Sequence, residues 1–436
     1  MALGGGTFIA QNKILPGVYI NFISAARSTS MLSERGIAAM PLQLSWGPDG
    51  EVFTVTADDF SRHAQTIFGY DYAAEELRPV REIFRGGATK LLAYKLGTAT
   101  KAANAFATAK YGGTRGNDIQ IVIQPNADDA TLVDVTTLLG TDKVETQTAA
   151  TAAALKDNDF VVWKSDAELT ATAGTPLTGG ADGTITGNDY QTFLDALESY
   201  SFHTLGCPSD DAATKKLFVA YTQRMRETVG AKFQMVGYQL DAADYEGAIS
   251  IENACTTDGA PDYSMVYWLS GAEAGCAVNA TCGNKQYDGE YTVDTHYTQQ
   301  DLENGILTGK LMFHMVDGDV HVLTDINTLV TLTAAKNDDF QNNQVVRVLD
   351  QIANDTAILF KDKYLDKVPN NASGRASFAS DIVTYNKQLV AANAIDSFSP
   401  TDIAVELGNT KNSVTVTETI TPVVAMEKLY MSVVVA

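Results

Sequence analysis

From about residue 188 onward, helix-type and strand-type segments alternate with glycine at the exits, and that alternation limits the fold more than any other feature. The spacing predicts a helix over 188–199 and an apolar strand over Phe202-His203-Thr204-Leu205-Gly206-Cys207. A helix from about Asp210 to Val229 follows, stopped by Gly230, and then strands at Lys232 to Gly237 and Ala248 to Ile251. A helix from about Asp262 to Ala280 carries Met265, Trp268 and Leu269 at helical spacing. Strands separated by helices assemble into a parallel sheet covered on both faces.

The block over 23–97 mixes short strands and helices. Ala38 to Leu44 and Val52 to Val55 read as strands, Thr56 as the cap of a helix, and Lys90 to Leu96 as a strand entered through Gly86-Gly87. Composition then shifts. Between Gly97 and Leu177 the chain is rich in Thr, Ala and Asp, with only Phe106, Tyr111, Phe160 and Trp163 as aromatics. Period-two runs at Ile119 to Ile123, Leu132 to Val135 and Phe160 to Trp163 predict a small β-sandwich inserted into the main domain.

Further on, Thr298 caps a helix ending at Asn304-Gly305, and a hairpin runs from Lys310–Val316 through Asp317-Gly318-Asp319 to Val320–Leu323. A long amphipathic helix over Asn343 to Phe360 carries Val346, Leu349, Ile352, Ala353 and Ile358. A second, Ser373 to Ala392, carries Phe378, Ile382, Tyr385 and Leu389. Strands at 404–407, 413–420 and 429–435 complete the pattern. The expected class is therefore α/β and multi-domain. A parallel or mixed main domain (23–97 and 179–329) holds a sandwich (98–178), followed by an α+β domain (330–410) and flanked by extended arms at 1–22 and 411–436.

With 436 residues, 45% of them hydrophobic, the chain can bury several cores, and no apolar run approaches the roughly 20 residues of a bilayer helix. Thirty-one Lys+Arg against 53 Asp+Glu leave a formal charge of −22, which repels phosphate backbones and makes nucleic acid a poor partner. Residues 1–6 are small and uncharged, an opening that predicts no secretory signal. Cys207, Cys255, Cys276 and Cys282 form no CxxC pair and read as reduced thiols, with no zinc site.

No constellation specifies catalysis. Tyr111-Gly112-Gly113-Thr114-Arg115-Gly116-Asn117 and Thr178-Gly179-Gly180-Ala181-Asp182-Gly183 are glycine-rich but lack the Gly-Lys-Ser/Thr ending of a phosphate loop, so they read as turns. Asp317-Gly318-Asp319 supplies two carboxylates, too few for a calcium cage. The histidines His63, His203, His296, His314 and His321 have no nucleophile elbow or His-Glu-x-x-His spacing beside them. His314 and His321 are expected as cross-strand neighbours. No cofactor is expected.

What distinguishes the chain is its ends. Residues 1–22 carry only Lys13, and 411–436 carry Lys411 and Lys428 against Glu418 and Glu427, so both are near-neutral in an acidic chain and rich in strand-forming residues. An unpaired strand recruits another chain through its free N–H and C=O groups. The arms either pair inside their own subunit or add to a neighbour. In the second case the alternating residues Phe8, Ile9, Ile14, Val18, Ile20 and Phe22, and Val414, Val416, Ile420, Leu429, Met431, Val433 and Val435, mediate strand exchange in an open polymer.

Several motifs in order resemble the sheath proteins of contractile bacteriophage tails and phage-tail-like bacteriocins, particularly those of Gram-positive prophages. They are Leu15-Pro16-Gly17-Val18-Tyr19-Ile20, Tyr111 to Ile119, Leu177 to Gly183, Glu303-Asn304-Gly305, Thr324 to Leu329 and Val346-Arg347-Val348-Leu349-Asp350. The resemblance implies rings of subunits around a tail tube, arms that donate strands to adjacent subunits, and contraction that drives the tube through an envelope. Its implied partners are further copies of the chain, the tube protein, and baseplate and terminator proteins; its implied setting is a particle assembled in the host cytoplasm. It also implies a hydrolase-like α/β domain with no catalytic triad. Two other readings compete: an α/β hydrolase-like enzyme with a sandwich insertion, using His203 or His314, and an S-layer-like surface protein.

Overall fold

The computed structural model describes residues 32–241 and 243–435. The chain opens the main domain with β1 (Ile37–Leu42), β2 (Val52–Thr56), α1 (Ala57–Phe68), α2 (Arg78–Gly86) and β3 (Lys90–Lys95). Thr56 caps α1 as expected: its hydroxyl accepts from the Asp59 N–H at 3.1 Å, and the Asp59 carboxylate accepts from the Thr56 N–H. The helix α2 escapes the sequence reading because Pro79 stands in its first turn and Gly86 at its end.

The sandwich follows as β4 (Ala107–Ala109), β5 (Ile119–Pro125), β6 (Val133–Leu139), β7 (Asp142–Ala149), β8 (Val161–Trp163) and β9 (Thr172–Pro176). A four-stranded antiparallel sheet in the order β7-β6-β5-β9 faces the β4-β8 ribbon. Ile119, Ile121 and Ile123 point inward at every second position and pack with Val135, Leu139, Phe160 and Val161. One residue of this core comes from outside the module. Trp46, which follows β1, is fully buried with its ring 5.4 Å from Tyr111 and 5.6 Å from Phe160, and so plugs the sandwich onto the main domain.

The main domain resumes with α3 (Gly187–Leu197), β10 (Thr204–Cys207), α4 (Ala212–Arg224), β11 (Gln234–Tyr238), β12 (Ala248–Ile251), α5 (Met265–Gly275), α6 (Gln299–Leu307) and β13 (Lys310–Leu311). Its sheet runs β13-β12-β11-β10-β1-β3-β2, parallel except for β2. Alternate residues of each strand serve opposite cores. Ala38, Met40, Leu91 and Ile249 meet Phe60, Ile83 and Trp268 on one side. Ala39, Leu92, Leu205 and Met235 meet Phe193, Leu197 and Phe218 on the other. The doubly covered parallel sheet is thus the one the alternation predicts.

The strand expected over Lys310–Val316 is broken in two. Lys310–Leu311 joins the main sheet, whereas β14 (Phe313–Val316) turns away to pair antiparallel with β15 (Asp319–Val322), placing His314 opposite His321. The cause is Asn253, whose buried amide accepts from the Phe313 N–H at 2.7 Å and donates to the Phe313 carbonyl at 2.9 Å, occupying groups a continuous ladder would need.

The C-terminal domain comprises α7 (Asn343–Leu359), α8 (Ala372–Ala391) and a hairpin of β16 (Ile403–Leu407) with β17 (Val414–Glu418). In α8 the expected residues Phe378, Ile382, Tyr385 and Leu389 are all buried. In α7 the expected stripe is partly misplaced: Ile358 is exposed and Leu349 half-buried, while the polar Asn343, Gln344, Arg347, Asp350, Gln351 and Asp355 are buried.

The helices α2 and α5 pack so closely that glycine is required at their crossing. A Cβ on Gly271 would strike the Ile83 carbonyl oxygen, and one on Gly86 the Trp268 carbonyl oxygen. Gly271→Ala is expected to destabilise the domain by about 1–3 kcal/mol. Gly187→Ala, at a position with open space, should be neutral or slightly stabilising. Urea unfolding midpoints of the two variants test this contrast.

Candidate assembly surface and the joint behind it

The segment after β17 is first tied down and then released. The Asp396 N–H donates to the Thr421 carbonyl, the Val423 N–H to the Ala394 carbonyl at 2.9 Å, and the Ala425 N–H to the Gln344 side chain at 3.0 Å. The Thr324 hydroxyl reaches the Glu427 carboxylate at 3.3 Å. Beyond that, Leu429, Tyr430, Met431, Val433, Val434 and Val435 are each 73–92% exposed, with no strand or helix among them. A contiguous apolar segment of this kind on a protein surface marks a contact site.

The strand-exchange residues inferred from sequence therefore divide into three groups. Phe8, Ile9, Ile14, Val18, Ile20 and Phe22 lie outside the described residues. Val414 and Val416 belong to the in-chain hairpin and pack toward Leu359, Phe378 and Ile382, while Ile420 packs toward Val348 and Leu389. This part of the expected arm is thus paired within its own chain. Leu429, Met431, Val433 and Val435 are the ones left open. Among the described residues no third strand pairs with either edge of the β16–β17 hairpin.

Behind this surface, α7 is fastened to the main domain by buried charge. The Arg347 guanidinium, fully buried, donates to Glu273 at 2.5 Å, to Asp325 at 3.2 Å and to the Ala280 carbonyl at 2.6 Å. Asp325 also accepts from the Cys282 N–H, the Thr281 hydroxyl and the Asn343 amide. Burial raises the Glu273 carboxyl far above its usual range, and the neighbouring Asp325 charge adds to this against the pull of Arg347. Burial opposes ionisation of Asp325 too, but Arg347 and the converging donors outweigh it and hold its carboxyl below the usual value. One turn on, Asp350 accepts two bonds from Arg226, at 2.5 and 2.8 Å. Although Glu273, Cys282 and Asp325 bring ligand-type atoms within 4.8 Å of one another, the lone pairs of Asp325 are already taken and Arg347 is the resident cation.

The catalytic candidates are dispersed. His203 stands at the N-terminal end of β10, where its Nδ1 accepts from the Ile37 N–H at 3.1 Å; burial, with a smaller push from Arg35, drives its pKa down to about 3. Ligand sites of open parallel sheets lie at the opposite, C-terminal ends, near the β1–β10 switch point. There the Ser45 and Tyr70 hydroxyls bond each other at 2.7 Å, remote from His203. His321 is held by the Asn284 carbonyl. The two glycine-rich loops clamp each other at the neck of the sandwich. Asn117 exchanges two bonds with the Gly180 backbone, and Asp182 accepts from the N–H and hydroxyl of Thr114. Among the described residues no helix is long and apolar enough to cross a membrane.

A doubly covered sheet interrupted by a sandwich, closed by a helical domain with a hairpin and carrying an apolar tail, is the architecture of a sheath protein. The chain belongs to the phage tail sheath protein family. Residues 35–96 match the tail sheath domain III N-terminal region, 87–182 the phage tail sheath β-sandwich domain, 183–328 the central domain and 335–436 the C-terminal domain. The chain is 38% identical to the crystallised sheath tail protein of Desulfitobacterium hafniense, over 95% of this chain and 99% of that one, with a TM-score of 0.82. It is 31% identical to the phage-like element PBSX protein XkdK of Bacillus subtilis over 99% of each. The helical sheath of the anti-feeding prophage in its contracted state, only 12% identical, shares the fold over 97% of this chain and 99% of that chain, with a TM-score of 0.55.

The buried network predicts an asymmetry. Arg347→Met and Asp325→Asn each leave a buried charge unpaired and should cost about 3–5 kcal/mol. Glu273→Gln keeps the acceptor and removes a carboxyl whose ionisation burial already opposes, and should cost under about 1 kcal/mol. Denaturant titrations of the three variants measure this. A pH effect follows from His203: the unfolded ring titrates near 6.5 and the folded one near 3, so protons bind the unfolded state preferentially and stability falls as pH drops from 6.5 toward 3. His203→Asn should flatten that part of the stability–pH curve.

Proposed function

We propose that this chain is the structural subunit of a contractile tail sheath, that copies of it polymerise as stacked rings around a tail tube by inter-subunit strand exchange, and that contraction of the polymer drives the tube through a target envelope. The observation that carries the reading is the exposed apolar tail over 429–435, in a chain whose C-terminal hairpin pairs with no third strand among the described residues. Leu429, Met431, Val433 and Val435 alternate, so in an extended strand they share one face. The β16–β17 hairpin offers an acceptor: an added strand gains main-chain hydrogen bonds, and its side chains extend the face already carrying Val405, Val414 and Val416. Phe8, Ile9, Ile14, Val18, Ile20 and Phe22 are proposed as the second donor.

The same reading takes the tail tube protein, the baseplate and the tail terminator as partners, and a phage or bacteriocin particle assembled in the bacterial cytoplasm as the setting. It involves no turnover. The energy for movement is stored in the extended lattice, and the subunit supplies rigid bodies joined by strands that persist as the rings slide. The −22 charge favours a basic or neutral partner surface over nucleic acid.

Two truncations test it, one ending at Glu427 and one lacking residues 1–22. Each is expected to keep the circular dichroism and cooperative unfolding of the full chain, yet to form no tubes in negative-stain micrographs. Tubes from either truncated protein would overturn strand exchange.

A further inference from the structure

The β14–β15 hairpin carries two histidines that the assembly surface does not use. Its register is pinned at the tip: Asp317 and Gly318 both take positive φ, 51° and 99°, the two-residue turn that continues the twist of its strands. Val316 then faces Asp319, and His314 faces His321 across the ladder. Directly opposed residues hold their Cβ atoms about 4.5–5.5 Å apart on one face of the ribbon. The other face is anchored, because Phe313 and Val322 are fully buried in the main core and Asn253 holds the Phe313 backbone. Two partly exposed imidazoles therefore spring from neighbouring positions on the outer face of a fixed frame.

Their nitrogens are free to bind. The His321 Nδ1 lies 2.9 Å from the Asn284 carbonyl oxygen, which can only accept; Nδ1 therefore carries the proton and the Nε2 lone pair is left open. Metal-binding imidazoles are oriented in the same way, by a carbonyl or carboxylate on the second ring nitrogen. Among the described residues neither nitrogen of His314 has a hydrogen-bond partner. Asp319 is exposed on the same face, two residues before His321, and adds negative charge that favours a cation.

We propose that His314 and His321 form a two-imidazole site for a divalent transition metal of the Zn²⁺, Ni²⁺ or Cu²⁺ type, which bridges β14 and β15 with water completing its coordination. Neutral imidazole suits these ions, whereas Mg²⁺ and Ca²⁺ take oxygen ligands. The pair differs from the buried group of Glu273, Cys282 and Asp325, where Arg347 and backbone donors already occupy the oxygens. At the hairpin the ligand atoms face solvent, and the ion needs no opening of the core to reach them.

The effect of such a bridge follows from the course of the chain. β15 ends at Val322, three residues before Asp325, the buried partner of Arg347. Its other edge is held by the Asn284 N–H on the Val322 carbonyl and the Tyr287 N–H on the Val320 carbonyl, both at 2.8 Å. A metal across β14 and β15 closes the remaining side and stiffens the segment that delivers Asp325 to the joint between the domains.

Calorimetric titration of the full, chelator-treated chain with NiCl₂, and separately with ZnCl₂, tests the site. One equivalent per chain is expected to bind, and MgCl₂ to give no heat. His314→Gln and His321→Gln change the outer face alone and should keep the wild-type circular dichroism. Each should weaken binding by about a hundredfold, because two ligands on one frame exceed a single ligand by that order. His296→Gln, at an exposed ring hydrogen-bonded to Asp294, should leave binding unchanged. Saturating Zn²⁺ should raise the melting temperature of the wild type and of His296→Gln, but not of the two hairpin variants. The proposal is overturned if the wild type takes up no metal, or if either hairpin variant binds as tightly as the wild type. It is equally overturned if half an equivalent binds with dimerisation of the chain, or if binding survives in the hairpin variants and is lost in Cys282→Ser.

Discussion

A guanidinium in a dry interior is stable only where anions and acceptors surround it, and Arg347 meets that condition with groups from both halves of the molecule. One carboxyl partner, Asp325, lies on the segment leaving the β15 hairpin; the other, Glu273, lies on α5; and Arg347 itself belongs to the C-terminal domain. Burial and the adjacent Asp325 push the Glu273 carboxyl up, so that one cation is shared between two crowded carboxyl groups in a dry site. An arrangement with so little slack sets the angle of α7 against the main sheet. The hairpin, which packs on α7 and α8, inherits its position from it.

The main sheet and the sandwich were legible because both are written in local periodicity. Ile119, Ile121 and Ile123 alternate, and Ala248 to Ile251 is a short apolar run between helices; neither needs a distant partner to be recognised. What escaped depends on distant partners. The Lys310–Val316 run has no internal sign that Asn253 will take the backbone of Phe313. The helix α7 reads as amphipathic with an apolar stripe, yet its first half is buried nearly all round, polar residues included, because their partners lie far off in sequence: Asp325 accepts from Arg347, and Arg226 donates to Asp350.

The candidate surface was legible in part for the same reason. Runs of valine near the C-terminal end point to strand wherever they occur, and that predicts both β17 and the open tail without separating them. The separation comes from register: Val414 to Glu418 finds Ile403 to Leu407 across a turn, whereas residues 428–435 pair with no strand among the described residues.

The neck of the sandwich has a consequence for where sequence is free to change. Its fastenings are mostly peptide to peptide: Thr100 with Ala181, Ala103 with Thr178, and the Asn117 amide on the Gly180 backbone, with the Trp46 ring as the principal side-chain plug. Backbone bridges are indifferent to what is attached beyond them. The outward faces of β6 and β7 can therefore drift or accept inserted peptide at the open Gly140 tip, while the few residues at the base hold the graft in place.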